Sequence, residues 1–69
     1  MVFFPTSVKA QLARGIPCWL ASSPLYPNGR AFCTNKEAAA WCRAQIGRGA
    51  SHAGQTSFIL DKDGKIHMQ

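Results

Sequence analysis

A capped helix signal in the stretch Thr34–Gly47 constrains this chain more than any other feature. Thr34 and Glu37 have the spacing of a capping box, in which the hydroxyl accepts a hydrogen bond from the amide of residue 37 and the carboxylate reaches back to the cap. Gly47 is the residue type that ends a helix in the left-handed conformation. Helical spacing places most of the apolar residues on one arc, which Gln45 interrupts: Trp41, Ala38, Cys42, Ile46 and Ala39.

A hairpin signal lies at the other end of the chain. Two apolar runs, Phe58–Leu60 and Ile66–Met68, flank the polar loop 61–65. A three-residue loop with Gly64 left-handed pairs apolar residues with apolar residues, whereas a two-residue turn places lysine opposite lysine. We therefore expect the first register. It directs four side chains toward the core: Phe58, Leu60, Ile66 and Met68.

The sequence of the N-terminal half predicts mostly strands and turns, with one segment that could be either helix or strand. Met1–Phe4 is an apolar start that suits an edge strand or a packed terminus. Thr6–Gly15 fits a short helix and an alternating strand equally well. Ile16–Ala21 is apolar and aromatic and predicts a strand, whereas Ser22–Gly29 is rich in turn residues. Arg30–Cys33 predicts a short strand that leads into the helix.

These elements predict an α+β fold. We expect a small antiparallel sheet packed against one central helix, Thr34–Gly47, with a C-terminal β-hairpin. The 69 residues leave no room for a second core, so residues 1–69 form a single compact domain. The core of such a domain is thin, and a homodimer is an open alternative because association buries more surface.

Charge is sparse and unevenly distributed. Eight lysines and arginines stand against three acidic residues, and the net charge is +5. Residues 61–65 cancel internally, so the whole excess precedes residue 61, where Glu37 is the only carboxylate. Such a field attracts phosphate or an acidic protein surface. With 16% charged residues, this is not a polybasic tail.

Metal and cofactor sites are not expected. Structural zinc sites bring cysteines together in close C-x₂₋₄-C pairs, whereas the nearest of Cys18, Cys33 and Cys42 are nine positions apart. The pair Gly47 and Gly49 follows a helix, so its amides lack the N-terminal setting that binds phosphate. We expect no metal and no cofactor.

Catalysis is not expected either. The three carboxylates have structural explanations, since Glu37 caps the helix while Asp61 and Asp63 belong to the hairpin turn. Neither histidine, His52 or His67, has an evident nucleophile and orienting group beside it. We expect a protein that is not an enzyme and has no catalytic residues.

The sequence predicts a cytoplasmic protein. It shows no basic start followed by an apolar run of about 7–15 residues, as a secretory leader would. It has no apolar stretch of about 20 residues for a membrane span, so we expect no membrane partner. An odd number of cysteines is consistent with reduced thiols.

Nucleic acid is the partner that the charge pattern favours. Basic residues cluster around the C-terminal part of the helix and on the strand that precedes it, and a few phosphate contacts would give salt-sensitive binding. The alternative is that these residues only solubilise the surface. The predicted phosphate contacts are Arg30, Lys36, Arg43 and Arg48.

One stretch resembles known DNA-binding domains. The residues that carry the resemblance are Trp19-x-Ala21 and then Gly29-Arg30-x-Phe32-x-Thr34-x-x-Glu37-Ala38-Ala39. Their order of strand, strand and helix resembles that of AP2-type and integrase arm-type domains. The resemblance implies a sheet that lies in the major groove, with basic and aromatic contacts on its strands. It covers under half of the chain, the segment Cys18–Leu25 carries no charge, and the C-terminal hairpin is an addition, so membership is not assigned.

A protein partner is the second hypothesis. Many aromatic residues and few charges in so short a chain leave apolar area for an exposed patch. Small basic proteins of this kind are typical accessory factors of phages and mobile elements, which bind and inhibit a host protein. The predicted contact residues are Phe3, Phe4 and Tyr26.

Overall fold

The computed structural model describes residues 4–69 and contains two helices and four strands. The strands form one antiparallel sheet in the order β2-β1-β3-β4. This confirms the predicted α+β class, with its small antiparallel sheet, its central helix and its C-terminal hairpin. Residues 1–3 lie outside the described residues. They include the predicted contact Phe3 and most of Met1–Phe4, for which the sequence predicts either an edge strand or a packed terminus. The elements are α1 Thr6–Ala13, β1 Cys18–Ser23, β2 Tyr26–Phe32, α2 Asn35–Gly47, β3 Gly54–Leu60 and β4 Ile66–Met68.

The two helices pack on opposite faces of the sheet. Side chains alternate along a strand, so Cys18 and Ser23 in β1 point to opposite sides. The thiol of Cys18 donates a weak hydrogen bond to the carbonyl of Val8 in α1, at 3.8 Å. The hydroxyl of Ser23 donates to Oε1 of Gln45 in α2, at 3.3 Å. We refer to these sides as the α1 face and the α2 face.

The ambiguous stretch Thr6–Gly15 is a helix because packing selects helical spacing. Val8 and Leu12, four residues apart, are buried, whereas Ala10 between them is exposed. Alternation would have buried Ala10 as well. Gly15 follows the helix with φ +75°, which is the left-handed stop of a Schellman motif. The buried core on the α1 face consists of Val8, Leu12, Cys18, Ala31 and Phe58.

Helix α2 has the predicted cap, and its buried arc differs from the predicted one at two positions. The amide of Glu37 donates to the Thr34 hydroxyl at 3.2 Å, as the capping box requires. Gln45, expected to interrupt the apolar arc, is buried against Ser23, whereas Ile46 is 49% exposed. Gln45 can be buried because the Ser23 hydroxyl donates a hydrogen bond to its side-chain oxygen.

The end of α2 also differs from the prediction. Gly47 is the last helical residue, and the left-handed residue is Gly49, with φ +100°. The amide of Gly49 donates to the Ile46 carbonyl at 3.0 Å, and that of Ala50 to the Gln45 carbonyl at 3.0 Å. This is a Schellman motif two residues later than expected.

The β1–β2 connection is shorter than predicted. Most of the expected turn Ser22–Gly29 is strand, because Ser23 pairs with Tyr26 and only two residues connect the strands. Ala21 pairs with Arg30, so β2 has more residues than β1 between these two pairs and contains a bulge. Bulge residues resemble turn residues in composition, which explains the error.

The C-terminal hairpin has the predicted register but not the predicted burial. Phe58 pairs with Met68 and Leu60 with Ile66, and Gly64 has φ +78°. Phe58 is fully buried, yet Ile66 and Met68 are 41% and 56% exposed. The expectation that both face the core is wrong because β4 is an edge strand that neither helix contacts closely.

Candidate nucleic-acid interface

The outer side of α2 carries two of the predicted phosphate contacts. Lys36 and Arg43 are seven residues apart, which is close to two helical turns and about 10 Å along the axis. Both side chains are exposed and lie opposite the buried residues Ala38 and Gln45. The helix therefore presents this pair of cations directly to solvent.

A third predicted contact, Arg48, lies at the C-terminal cap of the same helix. Its amide donates to the carbonyls of Ala44 and Gln45, both at 3.1 Å. Its Nη1 donates to the hydroxyl of Tyr26 at 3.5 Å. A cation at this end of a helix also offsets the negative end of the helix dipole. These contacts hold the guanidinium beside the first residue of β2.

An aromatic row connects α2 to the edge strand β2. The ring of Trp41 lies 6.0 Å from that of Tyr26 and 6.1 Å from that of Phe32, both in tilted arrangements. Trp41 and Phe32 are half-buried, whereas Tyr26 is 45% exposed. Trp41 packs against the inner side of the Tyr26 ring, and much of that ring remains accessible to solvent.

The fourth predicted contact, Arg30, extends from β2 on the same side. It pairs with Ala21, and residues that pair across an antiparallel ladder point to the same face. Ala21 is buried on the α2 face, so the exposed Arg30 lies at the edge of that face. The four predicted contacts thus share one side of the sheet. Lys9 and Arg14, in contrast, belong to the α1 segment on the other side.

None of the four cations is neutralised by a carboxylate within residues 4–69. The one ion pair there joins Nε2 of His67 to Oδ2 of Asp61 at 2.7 Å, in the hairpin at the opposite edge of the sheet. Glu37, the carboxylate of α2, accepts a hydrogen bond from the Thr34 hydroxyl at 3.1 Å. The charge of the α2 side is therefore available to an external anion.

Asp61 performs a structural task. Its Oδ1 accepts hydrogen bonds from the amides of Asp63 at 2.8 Å and Lys65 at 2.9 Å. The hydrogen bond from the Lys65 amide, followed by that of the His67 side chain, lowers the pKa of this carboxyl. The role of His67 in this turn is not evident from the sequence, because it depends on the hairpin register.

Phe4 and Tyr26, the two predicted protein-binding residues among 4–69, lie on opposite sides of the sheet. Phe4 is half-buried, and its ring stacks on that of Phe58 with centroids 5.7 Å apart. It therefore belongs to the core of the α1 face, whereas Tyr26 lies on the α2 side. The exposed neighbour of Tyr26 is Leu25, which is 47% exposed in the β1–β2 turn.

A groove on the α1 face was not evident from the sequence. It has a volume of about 470 Å³ and lies between the bulge of β2 and the edge strand β4. No charged side chain lines it. The lining residues are Leu20, Ser22, Pro27, Asn28, Gly54, Gln55, Thr56 and Met68. These residues come from four different strands and are brought together by strand pairing, so no local sequence pattern predicts the groove.

The described part of the chain contains neither a cluster of metal ligands nor a helix that could span a membrane. No three histidine, cysteine or acidic side chains among residues 4–69 come together as metal ligands. No helix in this range is long and apolar enough to cross a membrane. Comparison with protein families, curated proteins and solved structures finds no match to this chain.

Proposed function

We propose that this protein is a non-enzymatic binding module that binds nucleic acid through the α2 side of its sheet. One observation carries the proposal: four cations without carboxylate partners lie on one side of the molecule, next to an exposed tyrosine. Lys36 and Arg43 would contact phosphates along the outer side of α2. Arg30 and Arg48 would contact phosphates at the flank formed by β2.

The distribution of opposite charge supports this assignment. Asp61 and Asp63 lie at the hairpin turn, on the far edge of the sheet from β2. A polyanion that approaches the α2 side therefore meets the positive excess before it meets these carboxylates. Tyr26 adds a ring on which an unpaired base could stack, next to the guanidinium of Arg48.

The proposed binding mode differs from that of the DNA-binding domains mentioned above. Their sheets lie in the major groove, whereas here α1 covers part of the face that α2 leaves open. The proposed contacts come from the outer side of α2 and the β2 edge. A cytoplasmic location is part of the same proposal, consistent with three cysteines that form no disulfide.

The test is fluorescence anisotropy of labelled single- and double-stranded DNA, measured from low to physiological salt. Four phosphate contacts on duplex DNA predict a slope of log affinity against log salt of about −3.6. The variant Arg43→Ala/Arg48→Ala should bind more weakly, and its slope should be shallower by about 1.8. The absence of binding at low salt would refute the proposal.

A matched control is available on the other helix. Lys9→Ala/Arg14→Ala removes the same charge from the α1 segment, on the other side of the sheet. This variant should keep the wild-type slope. Equal loss in the two double variants would indicate attraction by net charge alone, without the interface proposed here.

A protein partner is the second candidate, and one observation favours it. Leu25 and Tyr26 are adjacent and 47% and 45% exposed, although both are large apolar side chains. Such pairs often anchor protein interfaces. We propose, as the alternative, an accessory protein of phage or mobile-element type that binds a host protein there. Leu25→Ser should then weaken binding to the host protein, whereas the anisotropy measured with DNA should not change.

A further inference from the structure

Two of the three cysteines face each other across the β1–β2 ladder. Trp19 pairs with Phe32 and Leu20 with Ala31, in regular antiparallel register. One step further along the same register, Cys18 is opposite Cys33. Directly paired residues in an antiparallel ladder have Cα atoms about 4.5–5.5 Å apart, which lies within the ~4.4–6.8 Å range that a disulfide spans.

Contacts made by both chain ends support this placement beyond the last hydrogen-bonded pair of the ladder. The side-chain amide nitrogen of Gln11 donates to the carbonyls of both Pro17 and Cys33, at 2.8 Å each, and so holds the two chain ends together. Cys33 packs against the buried core cluster that contains Cys18. Burial, and then the adjacent Cys33, raise the pKa of the Cys18 thiol.

We infer that Cys18 and Cys33 form a reversible oxidation site whose reactant is a low-molecular-weight disulfide such as oxidised glutathione. Cys33 is half-buried and can meet this reagent, whereas Cys18 is fully buried. The inference is independent of the proposed nucleic-acid binding, since neither thiol is among the cations or aromatic residues of the interface.

The reaction balances as two exchange steps. The thiolate of Cys33 attacks one sulfur of the reagent, forms a mixed disulfide and releases one small thiol. The thiol of Cys18 then loses its proton and attacks Sγ of Cys33, and the second small thiol leaves. The protein loses two electrons and two protons in forming the Cys18–Cys33 bond, and the reagent is reduced to two thiols.

Cys42 serves as the internal control. It lies in α2, on the opposite face of the sheet from Cys18, whose thiol points toward Val8 in α1. Cys33 packs against the same α1-face core as Cys18, so a bond from Cys42 to either thiol would have to pass through the sheet. The native fold therefore selects one of the three possible pairings.

The experiment is oxidation of the folded, full-length chain in graded glutathione buffers, followed by alkylation and tryptic mapping. Cleavage after arginine and lysine separates the three cysteines into the peptides 15–30, 31–36 and 37–43. We expect a cross-link between the first two peptides and an alkylated Cys42. Pairing through Cys42, or a cross-link that forms only in denaturant, would refute the inference.

The melting temperature of the reduced and of the oxidised protein gives a second readout. The bond encloses the whole β1–β2 hairpin, and a native-like disulfide of that loop length should raise the melting temperature by about 10–20 °C. Cys42→Ser should show the same rise, whereas Cys33→Ser should show none. A fall on oxidation would mean that the two thiols are not in disulfide geometry in the native state.

Discussion

The guanidinium of Arg48 donates a hydrogen bond to the hydroxyl of Tyr26 across 3.5 Å, so the end of α2 is joined to the start of the edge strand β2. Behind this pair, Trp41 contacts both Tyr26 and Phe32. The contact places a cation and an exposed aromatic ring side by side. This pairing of groups suits a phosphate and the base attached to it.

The Tyr26 ring can be tested separately from its hydroxyl. Tyr26→Ala should weaken binding of single-stranded DNA about tenfold, because loss of one stacked base costs about 1–3 kcal/mol. Tyr26→Phe keeps the ring and should bind nearly as well as the wild type. Anisotropy with single strands measures both, and circular dichroism checks that the variants fold. Equal loss in the two variants would assign the effect to the hydroxyl.

Gly29 should not tolerate a side chain. Its φ is +75°, and an added Cβ would lie 2.4 Å from the carbonyl oxygen of Ala21. Gly29→Ala should lower the free energy of unfolding by about 2–4 kcal/mol, through the left-handed backbone and the clash together. Urea denaturation monitored by tryptophan fluorescence measures this change.

Gly15 provides the matched control for that substitution. It has the same φ, +75°, but nothing lies within 4 Å of an added Cβ. Gly15→Ala should therefore cost only about 1–2 kcal/mol, the backbone contribution alone. If the free energy of unfolding falls equally in both variants, the close approach of Gly29 to β1 does not contribute to the loss of stability.

Gln11 should stabilise the protein through its side-chain amide. Its nitrogen donates to the carbonyls of Pro17 and Cys33, and the second of these contacts is partly buried. Gln11→Ala should lower the free energy of unfolding by about 1–2 kcal/mol, because two carbonyls lose their donor. Lys9→Ala, an exposed change on the same helix, should cost less than 0.5 kcal/mol, about the usual size for a surface substitution.

The Asp61 turn predicts a specific dependence on acid. The pKa of this carboxyl is lower in the folded protein than in the unfolded chain, so the folded state is favoured when Asp61 is ionised. This contribution is fully present above the ordinary aspartate pKa of about 3.9. It is lost as the pH falls through the lower folded value.

The comparison with Asp61→Asn isolates this charge. The asparagine keeps a side-chain acceptor for the Lys65 amide but does not ionise. The wild type should be more stable than the variant near neutral pH, and the difference should disappear in strong acid. Amide exchange of Lys65, followed by NMR over this pH range, reports the turn directly. A constant difference at all pH values would contradict the prediction.

Several features followed from the sequence alone because they depend on neighbouring residues. The Thr34 and Glu37 box determines where α2 begins, since both partners lie within one turn. The register of the C-terminal hairpin follows from the left-handed Gly64 and the pairing of apolar residues across the loop. The positive excess before residue 61 is likewise a property of the chain.

Tertiary contacts decided the features for which the local signal was balanced or misleading. Thr6–Gly15 became a helix because Val8 and Leu12 both reach the Phe58 core, which local spacing could not select. Gln45 is buried and Ile46 exposed because the strand surface under α2 offers the Ser23 hydroxyl as a partner. A composition rich in proline, asparagine and glycine likewise concealed a bulged strand in 26–32.

Some features of the candidate interface likewise follow from the sequence, whereas others depend on the tertiary structure. The sequence determined that the chain carries an excess of cations and that Lys36 and Arg43 share one side of a helix. Only the tertiary structure placed Arg30 and Arg48 on the α2 side, with Lys9 and Arg14 on the other. It likewise brought Cys18 and Cys33 together. The reason is physical: helical and strand periods are local, whereas the face on which an element packs depends on contacts between residues distant in the chain.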